Sequence, residues 1–188
     1  MILNDEQLAQ AIEAGRLVLD PFKPSRVQPA SVDLTLGNEF AYWPDAQRMV
    51  DLNDPSTFPE MTRRTTSGFK DGYPLQPGAF ALASTAEVVG LASDLCARVE
   101  GRSSLGRLGL CIHATAGFID PGFSGQITLE LFNMSPHVLL LIPGMTICQL
   151  AVQQMGAPSA RPYGAERGSK YMNQEGATPS RWRGASHE

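Results

Sequence analysis

A chain of 188 residues and 20.3 kDa is long enough to bury one sizeable core and too short for two ordinary domains, so a single domain over 1–188 is expected. Hydrophobic residues make up 43% and charged residues 18%, a globular balance that excludes a mostly disordered chain. With 15 Lys plus Arg against 19 Asp plus Glu, the net charge of -4 gives no broad attraction to a nucleic acid polymer or an anionic membrane, although a local basic cluster still suffices for a small phosphorylated ligand.

The start, Met1 to Arg16, carries Asp5, Glu6 and Glu13 and no apolar run, so it reads neither as a secretory signal nor as a membrane anchor, and a cytoplasmic protein is expected. Asn4 followed by Gln7 is a capping-box pattern; Leu8, Ala11 and Ile12 then recur at helical spacing until Gly15 offers a stop. After Asp20-Pro21 and Lys23-Pro24 the pattern turns to alternation. Val32, Leu34 and Leu36 face one way and Ser31, Asp33 and Thr35 the other, which predicts a half-buried strand ending at Gly37-Asn38. Asp45 to Tyr73 is polar and holds Pro55 and Pro59, the composition of an irregular surface excursion.

From Pro74 onward short apolar runs recur between Gly and Pro: Phe80 to Ser84, Leu95 to Val99, Gln126 to Phe132, Val138 to Ile142 and Thr146 to Val152. Many short strands with turn signals predict a mainly β fold, a sandwich or barrel with one short N-terminal helix. Residues 162–188 hold Gly164, Gly168, Gly176 and Gly184 among polar residues, a tail expected to be mobile alone and able to order over a ligand. Cys96, Cys111 and Cys148 are far apart and flanked by apolar residues, which predicts buried free thiols. No CxxC or HExxH occurs, and His113, His137 and His187 are too scattered to suggest a zinc site.

Four patches carry candidate chemistry. Glu100-Gly101-Arg102-Ser103-Ser104-Leu105-Gly106-Arg107 places two guanidinium groups, two hydroxyls and two glycines where phosphate oxygens can be met, and it reads equally well as a polar turn. Ala116-Gly117-Phe118-Ile119-Asp120-Pro121-Gly122 leads into the strand Gln126 to Phe132; Asp120 suits a carboxylate at the rim of a sheet, or one that stabilises its own turn. In that strand Ile127, Leu129 and Leu131 share one face and Gln126, Thr128 and Glu130 the other. Glu130 must therefore face water, a partner or a pocket, because an isolated buried charge is costly; in a pocket it is a candidate general acid/base. Gln149 lies in an apolar strand, where its amide reads a ligand edge or satisfies a backbone group. Tyr163, Lys170, Tyr171 and Gln174 in the tail suit a phosphate clamp or an ordinary solvated segment.

Together these patches resemble the dCTP deaminase family, a branch of the trimeric dUTPase-like fold. The likeness runs through Gln28-Pro29-Ala30-Ser31-Val32-Asp33-Leu34, Gly101 to Leu110, His113 through Glu130, and Gly168-Ser169-Lys170-Tyr171 with Gln174. It implies a β-barrel or distorted jelly roll that assembles as a homotrimer with active sites between subunits, a zinc-independent reaction, Mg²⁺ carried by the triphosphate, dCTP as substrate with dUTP as intermediate or substrate, and dTTP as an inhibitor.

By the same resemblance Glu130 takes the proton of the water that attacks C4 of cytosine, and Ser103 and Arg107 position that water and stabilise the developing charge. Arg102, Ser104, Lys170 and Gln174 hold the triphosphate, with Leu105 and Gly106 in the same turn. Tyr163 lines the pocket, and Thr128 and Leu129 meet the base. Deaminases that only deaminate carry a bulky polar pair after the Thr-Ala step, whereas this chain has Gly117-Phe118 after Ala116. That step and Gln149 resemble the bifunctional branch, in which Asp120 contacts the sugar 3′-hydroxyl and helps orient a second water onto the α-phosphate. The resemblance therefore implies conversion of dCTP to dUMP, ammonia and diphosphate. A deaminase that releases dUTP and a nucleotide-binding relative without turnover are the alternatives.

Overall fold

Asn4 caps the first helix as its spacing predicts: its side chain accepts from the Gln7 N–H at 2.9 Å, and Gln7 Oε1 accepts from the Asn4 N–H at 3.1 Å. This helix, α1 (Asp5–Glu13), buries Leu8 and Ala11, and Gly15 follows it at φ +67°. The computed structural model describes residues 1–44, 49–66 and 71–183. Among them the strands are β1 (Leu17–Asp20), β2 (Val27–Gln28), β3 (Ser31–Tyr42), β4 (Thr62–Thr65), β5 (Tyr73–Leu75), β6 (Phe80–Leu91), β7 (Leu95–Gly101), β8 (Leu110–Cys111), β9 (Phe118–Ile119), β10 (Ser124–Asn133), β11 (Leu139–Leu141) and β12 (Thr146–Gln154). A one-turn helix, α2 (Ser103–Gly106), follows β7. No helix among the described residues is long and apolar enough to cross a membrane.

A 10-stranded sheet runs in the order β8-β10-β6-β3-β12-β7-β9, with β1 on β6 and with β2 and β4 on β3. Its pairings are antiparallel. The long strand β3 is the seam. Its first half pairs with β12, with Val32 opposite Leu150 and Leu34 opposite Cys148; beyond Leu36 it pairs with β6, with Phe40 opposite Ala83 and Ala41 opposite Leu82. One strand thus serves both halves of the sheet and curls it around a shared core. Leu34, Leu36, Phe40, Leu129, Leu131 and Leu150 are fully buried there, each contributing about 1.5–3 kcal/mol by leaving water. The fold is mainly β, as the succession of short apolar runs predicts.

Two expectations for β3 fail for one reason. Gly37-Asn38 does not end the strand, which continues to Tyr42. A Cβ at Gly37 would lie 2.7 Å from Ser84 Oγ, so this glycine permits close strand approach and makes no turn. Nor is the strand half-buried, because Asp33 and Thr35 are buried along with Val32, Leu34 and Leu36. Thr35 meets Glu87 on β6, a carboxylate only 1% exposed. Glu87 accepts from Thr35 N–H at 2.9 Å and Thr35 Oγ1 at 2.6 Å and pairs with Arg26. Asp33 pairs with Arg102 at 2.6 Å. The excursion after Asp45 is largely irregular but returns one strand, β4, to the edge of β3; residues 45–48 and 67–70 of that stretch lie outside the described residues.

Of the three cysteines expected to be buried, only Cys148 is; Cys96 and Cys111 are partly exposed. Burial, reinforced by the Glu87 and Asp33 carboxylates, pushes the Cys148 thiol far above the usual thiol range. Native protein treated with a thiolate-specific alkylating reagent at pH 8 is therefore expected to leave Cys148 unmodified, and the residue should react only after denaturation. Mass-spectrometric mapping checks this, and native labelling of Cys148 at the rate of a free thiol would contradict it.

Candidate active site

The alternation of β10 separates its two jobs. Ile127, Leu129 and Leu131 face the core, while Gln126, Thr128 and Glu130 lie half-buried on the other face. Glu130 is neither a bare surface charge nor a buried orphan. Its Oε2 accepts from the backbone N–H groups of Ala114 at 3.0 Å and Thr115 at 2.9 Å, and from Thr115 Oγ1 at 3.1 Å. Three donors converging on one oxygen fix the direction of the carboxylate. Two residues before it, Thr128 Oγ1 is buried without a hydrogen-bond partner.

The loop that supplies these donors is held by a glycine. Gly117 O accepts from Val99 N–H on β7 at 2.7 Å, and a Cβ on Gly117 would lie 2.9 Å from Val99 O and 3.1 Å from His113 Cε1. No side chain fits without moving backbone. Beyond it Asp120 is exposed at the end of β9, and the Pro121-Gly122 turn presses on the tail: Tyr163 N–H donates to Pro121 O at 2.8 Å, and a Cβ on Gly122 (φ +86°) would meet Pro162 Cβ at 2.7 Å. Tyr163 in turn packs 5.9 Å from the Phe123 ring, and its hydroxyl accepts from Tyr171 N–H. Asp120 and Tyr163 are thus brought to one place.

The second cluster starts where β7 stops. Arg102 is the N-cap of α2, and its carbonyl accepts from the N–H groups of Leu105 and Gly106. Ser103, Ser104, Gly106 and Arg107 are exposed, while Leu105 packs partly on the core. Arg102 folds inward to Asp33. Among the described residues no hydrogen bond or ion pair joins Ser103 or Arg107 to Glu130, so the chain presents the predicted constellation as two separate clusters. Gln149, half-buried on β12, sits opposite both Asp33 and Glu100 in the strand register.

Residues 2–155 match the dCTP deaminase-like family. The chain belongs to that family. It is 47% identical over 182 residues to "dCTP deaminase, dUMP-forming" of Thermobifida fusca, covering 96% of this chain and 92% of that one. The protein of the same name from Mycobacterium ulcerans is 48% identical at 96% and 95% coverage, and that of Dictyoglomus thermophilum 45% identical over 185 residues at 96% and 94%. Among solved structures, the 2′-deoxycytidine 5′-triphosphate deaminase of Agrobacterium tumefaciens shares the fold with a TM-score of 0.63 at 21% identity, over 81% of this chain and 47% of that longer one.

The tail, beyond the matched residues 2–155, does not lie wholly free of the sheet. Part of the segment expected to hang free is seated on β10. Gln174 is only 8% exposed; its Nε2 donates to Gln126 O at 2.8 Å, and its carbonyl accepts from Gln126 N–H at 3.0 Å. Gly176 N–H donates to Gln126 Oε1 and Ala177 N–H to Glu39 Oε1. Lys170 is exposed, with its ammonium 5.1 Å from the Trp182 ring centre. Ala116 is exposed on the Glu130 loop, and Leu129 is fully buried, so any contact from Leu129 to a ligand is through its backbone. The sequence reading missed Ala114, Thr115 and Gln126: Ala114 contributes a backbone N–H, Gln126 local amide bonds, and Thr115 a backbone N–H together with a hydroxyl that only the fold brings to Glu130.

The Glu130 clamp has a direct observable. Ala114 and Thr115 amides are expected to be protected in hydrogen exchange, to lose that protection in Glu130→Ala, and to lose it in Gly117→Ala, which should also destabilise the fold by about 1–3 kcal/mol through overpacking. Unaltered exchange at both amides in Glu130→Ala would remove the clamp.

Proposed function

We propose that this chain is a dUMP-forming dCTP deaminase: a cytoplasmic Mg²⁺-dependent homotrimer that converts dCTP and two waters to dUMP, ammonia and diphosphate. The observation that carries the reading is the oriented Glu130 carboxylate, hydrogen-bonded by Ala114, Thr115 and the Thr115 hydroxyl, in a chain nearly half identical to dUMP-forming relatives over almost its full length.

Glu130 accepts a proton from the water attacking C4 and returns protons to N3 and to the departing ammonia. Its anchoring by backbone donors leaves the second oxygen, Oε1, to meet that water while the side chain holds one rotamer. Thr128 Oγ1, buried and unpartnered, is available to a polar group of the base. Ser103 and Arg107 position the water and stabilise the tetrahedral intermediate from a neighbouring subunit. The assembly supplies what one subunit lacks, since its own Ser103 and Arg107 make no bond to Glu130. The exposed apolar side chains beside that turn and β8, Leu108 at 63% and Met134 at 63%, suit burial against another copy.

Arg102, Ser104, Lys170 and Gln174 are assigned to the triphosphate and Tyr163 to the pocket wall. Asp120 takes the sugar 3′-hydroxyl and helps aim the second water at the α-phosphate, and Gln149, on β12 opposite Asp33 and Glu100, is assigned to the nucleotide as well. Among the described residues no three His, Cys, Asp or Glu side chains cluster as metal ligands, and the donors of the 102–107 turn are cationic and hydroxylic. This set fits Mg²⁺ that arrives on the nucleotide better than an ion held in a cage of its own. When bound, the ion neutralises phosphate charge and favours displacement at the α-phosphate. The tight seat of Gly117 supports the bifunctional reading, because the first member of the bulky pair of enzymes that only deaminate has no room in this loop.

Incubation with dCTP and Mg²⁺ followed by nucleotide chromatography is expected to show dUMP and diphosphate in equal amounts with one ammonia each. Accumulation of dUTP without dUMP would restrict the enzyme to deamination, and no turnover with retained binding would favour a nucleotide-binding relative. Glu130→Ala should lower turnover by about 10²–10⁴-fold with dCTP binding largely kept; unchanged turnover would remove Glu130 from its role.

A further inference from the structure

Asp33 has no role in the mechanism above, yet its carboxylate touches the 102–107 turn at Arg102. It lies on β3, its side chain 11% exposed, with Oδ2 2.6 Å from Arg102 Nη1 and 3.4 Å from Gln28 Nε2. The other oxygen, Oδ1, is buried with no donor at all. The contact with Arg102 Nη1 is close but not aligned as a hydrogen bond, so charge holds it.

The guanidinium is two-sided. Nη1 is buried against Asp33, while the side chain as a whole is 30% exposed, so the exposure belongs to the remainder of the group. A guanidinium carries five N–H donors; one edge is committed inward and the rest stay available to phosphate oxygens. This ion pair is a polar side-chain link from the turn to the strands behind it, and Leu105 supplies an apolar one. Asp33 also stands directly opposite Gln149, which in turn faces Glu100, so Asp33, Gln149 and Glu100 form one cross-strand row at the foot of the turn.

A buried carboxylate with an unsatisfied oxygen is a poor device for stability alone, because such pairs are often replaceable by neutral groups without loss. We propose that Asp33 is a positioning residue for the triphosphate end of the site: it fixes the inner edge of Arg102, so that the outer donors and the following hydroxyls of Ser103 and Ser104 are presented in one arrangement. The inference rests on the reading of Arg102 as a triphosphate ligand.

A double-mutant cycle tests it, with Asp33→Asn, Arg102→Ala and the double variant measured by steady-state kinetics on dCTP with Mg²⁺, by calorimetric dCTP binding and by thermal melting. Asp33→Asn is expected to raise KM and the dissociation constant roughly tenfold, the worth of one charge-assisted contact, with kcat changed less, and to lower the melting temperature because the inner edge of Arg102 is left buried without its anion. In the Arg102→Ala background the same substitution should have no further effect on binding. Independent, multiplying effects, or a lowered melting temperature with unchanged dCTP affinity, would overturn the proposal in favour of a structural pair. If Asp33→Asn does not accumulate folded, Asp33→Glu, which displaces the charge by one methylene, takes its place with the same expected weakening. Wild-type protein that binds dCTP without forming dUMP would overturn the proposed reaction while the calorimetric cycle still decides Asp33; wild-type protein that does not bind dCTP would overturn both.

Discussion

Two carboxylates in the seam of the sheet constrain everything around them. Asp33 on β3 and Glu87 on β6 are 8% and 1% exposed, and a charge at that depth persists only if a cation is brought to it. Neither cation comes from a neighbouring strand of the core. Arg26 is carried by the short 3-10 turn Pro24–Arg26 before β2, and Arg102 by the step from β7 into α2. Removing one partner of such a pair typically costs about 3–5 kcal/mol, so the connections that carry the arginines are held in place by the core's need for charge. The sheet is closed by apolar packing, but two of its loops are aimed by electrostatics.

That division recurs at β10. Its core face is Ile127, Leu129 and Leu131, and its other face ends in Glu130, whose direction is set by a loop rather than by a strand neighbour. The loop reaches Glu130 because Gly117 lies within 2.9 Å, by its absent Cβ, of Val99 O, which brings the chain from His113 to Gly117 flat against β7. A single missing side chain therefore acts on the carboxylate through two backbone amides. In the sequence the same glycine stands at the step where the chain resembles the bifunctional branch, so the reading of the product and the packing of the loop meet at one position.

What the sequence makes legible follows the same split. The capping box at Asn4, the stop at Gly15 and the alternation of β10 are periodic or local signals, and each element forms where its pattern places it. Gly37-Asn38 reads as a turn because glycine's two uses, positive φ and close approach, look alike in a sequence; here Ser84 across the seam decides. Asp33 and Thr35 read as a solvated face because their cover, Arg102 and Glu87, lies 69 and 52 residues away in the chain. Backbone donors such as Ala114 and Thr115 leave no trace in residue type. Likewise the seat of the tail depends on Gly125 (φ +145°), whose Cβ would lie 2.9 Å from Gln174 N, a contact that follows from the docked tail and not from any motif.

That seat sets a condition on the tail's part in the chemistry. Residues 173–177 are held by Asn173 N–H to Ser124 O, the two bonds between Gln174 and Gln126, Gly176 N–H to Gln126 Oε1 and Ala177 N–H to Glu39 Oε1. At about 0.5–1.5 kcal/mol each, these bonds together amount to several kcal/mol. Gln174 is buried and its amide is engaged with the strand, so acting on a triphosphate requires giving up part of that set. Phosphate oxygens offer charge-assisted bonds roughly twice as strong as the amide bonds they would replace, and in the proposed reaction the same nucleotide would also meet Lys170 and Arg102. A triphosphate thus has enough donors within its reach to outbid the strand, whereas a neutral nucleoside lacks the charge to do so.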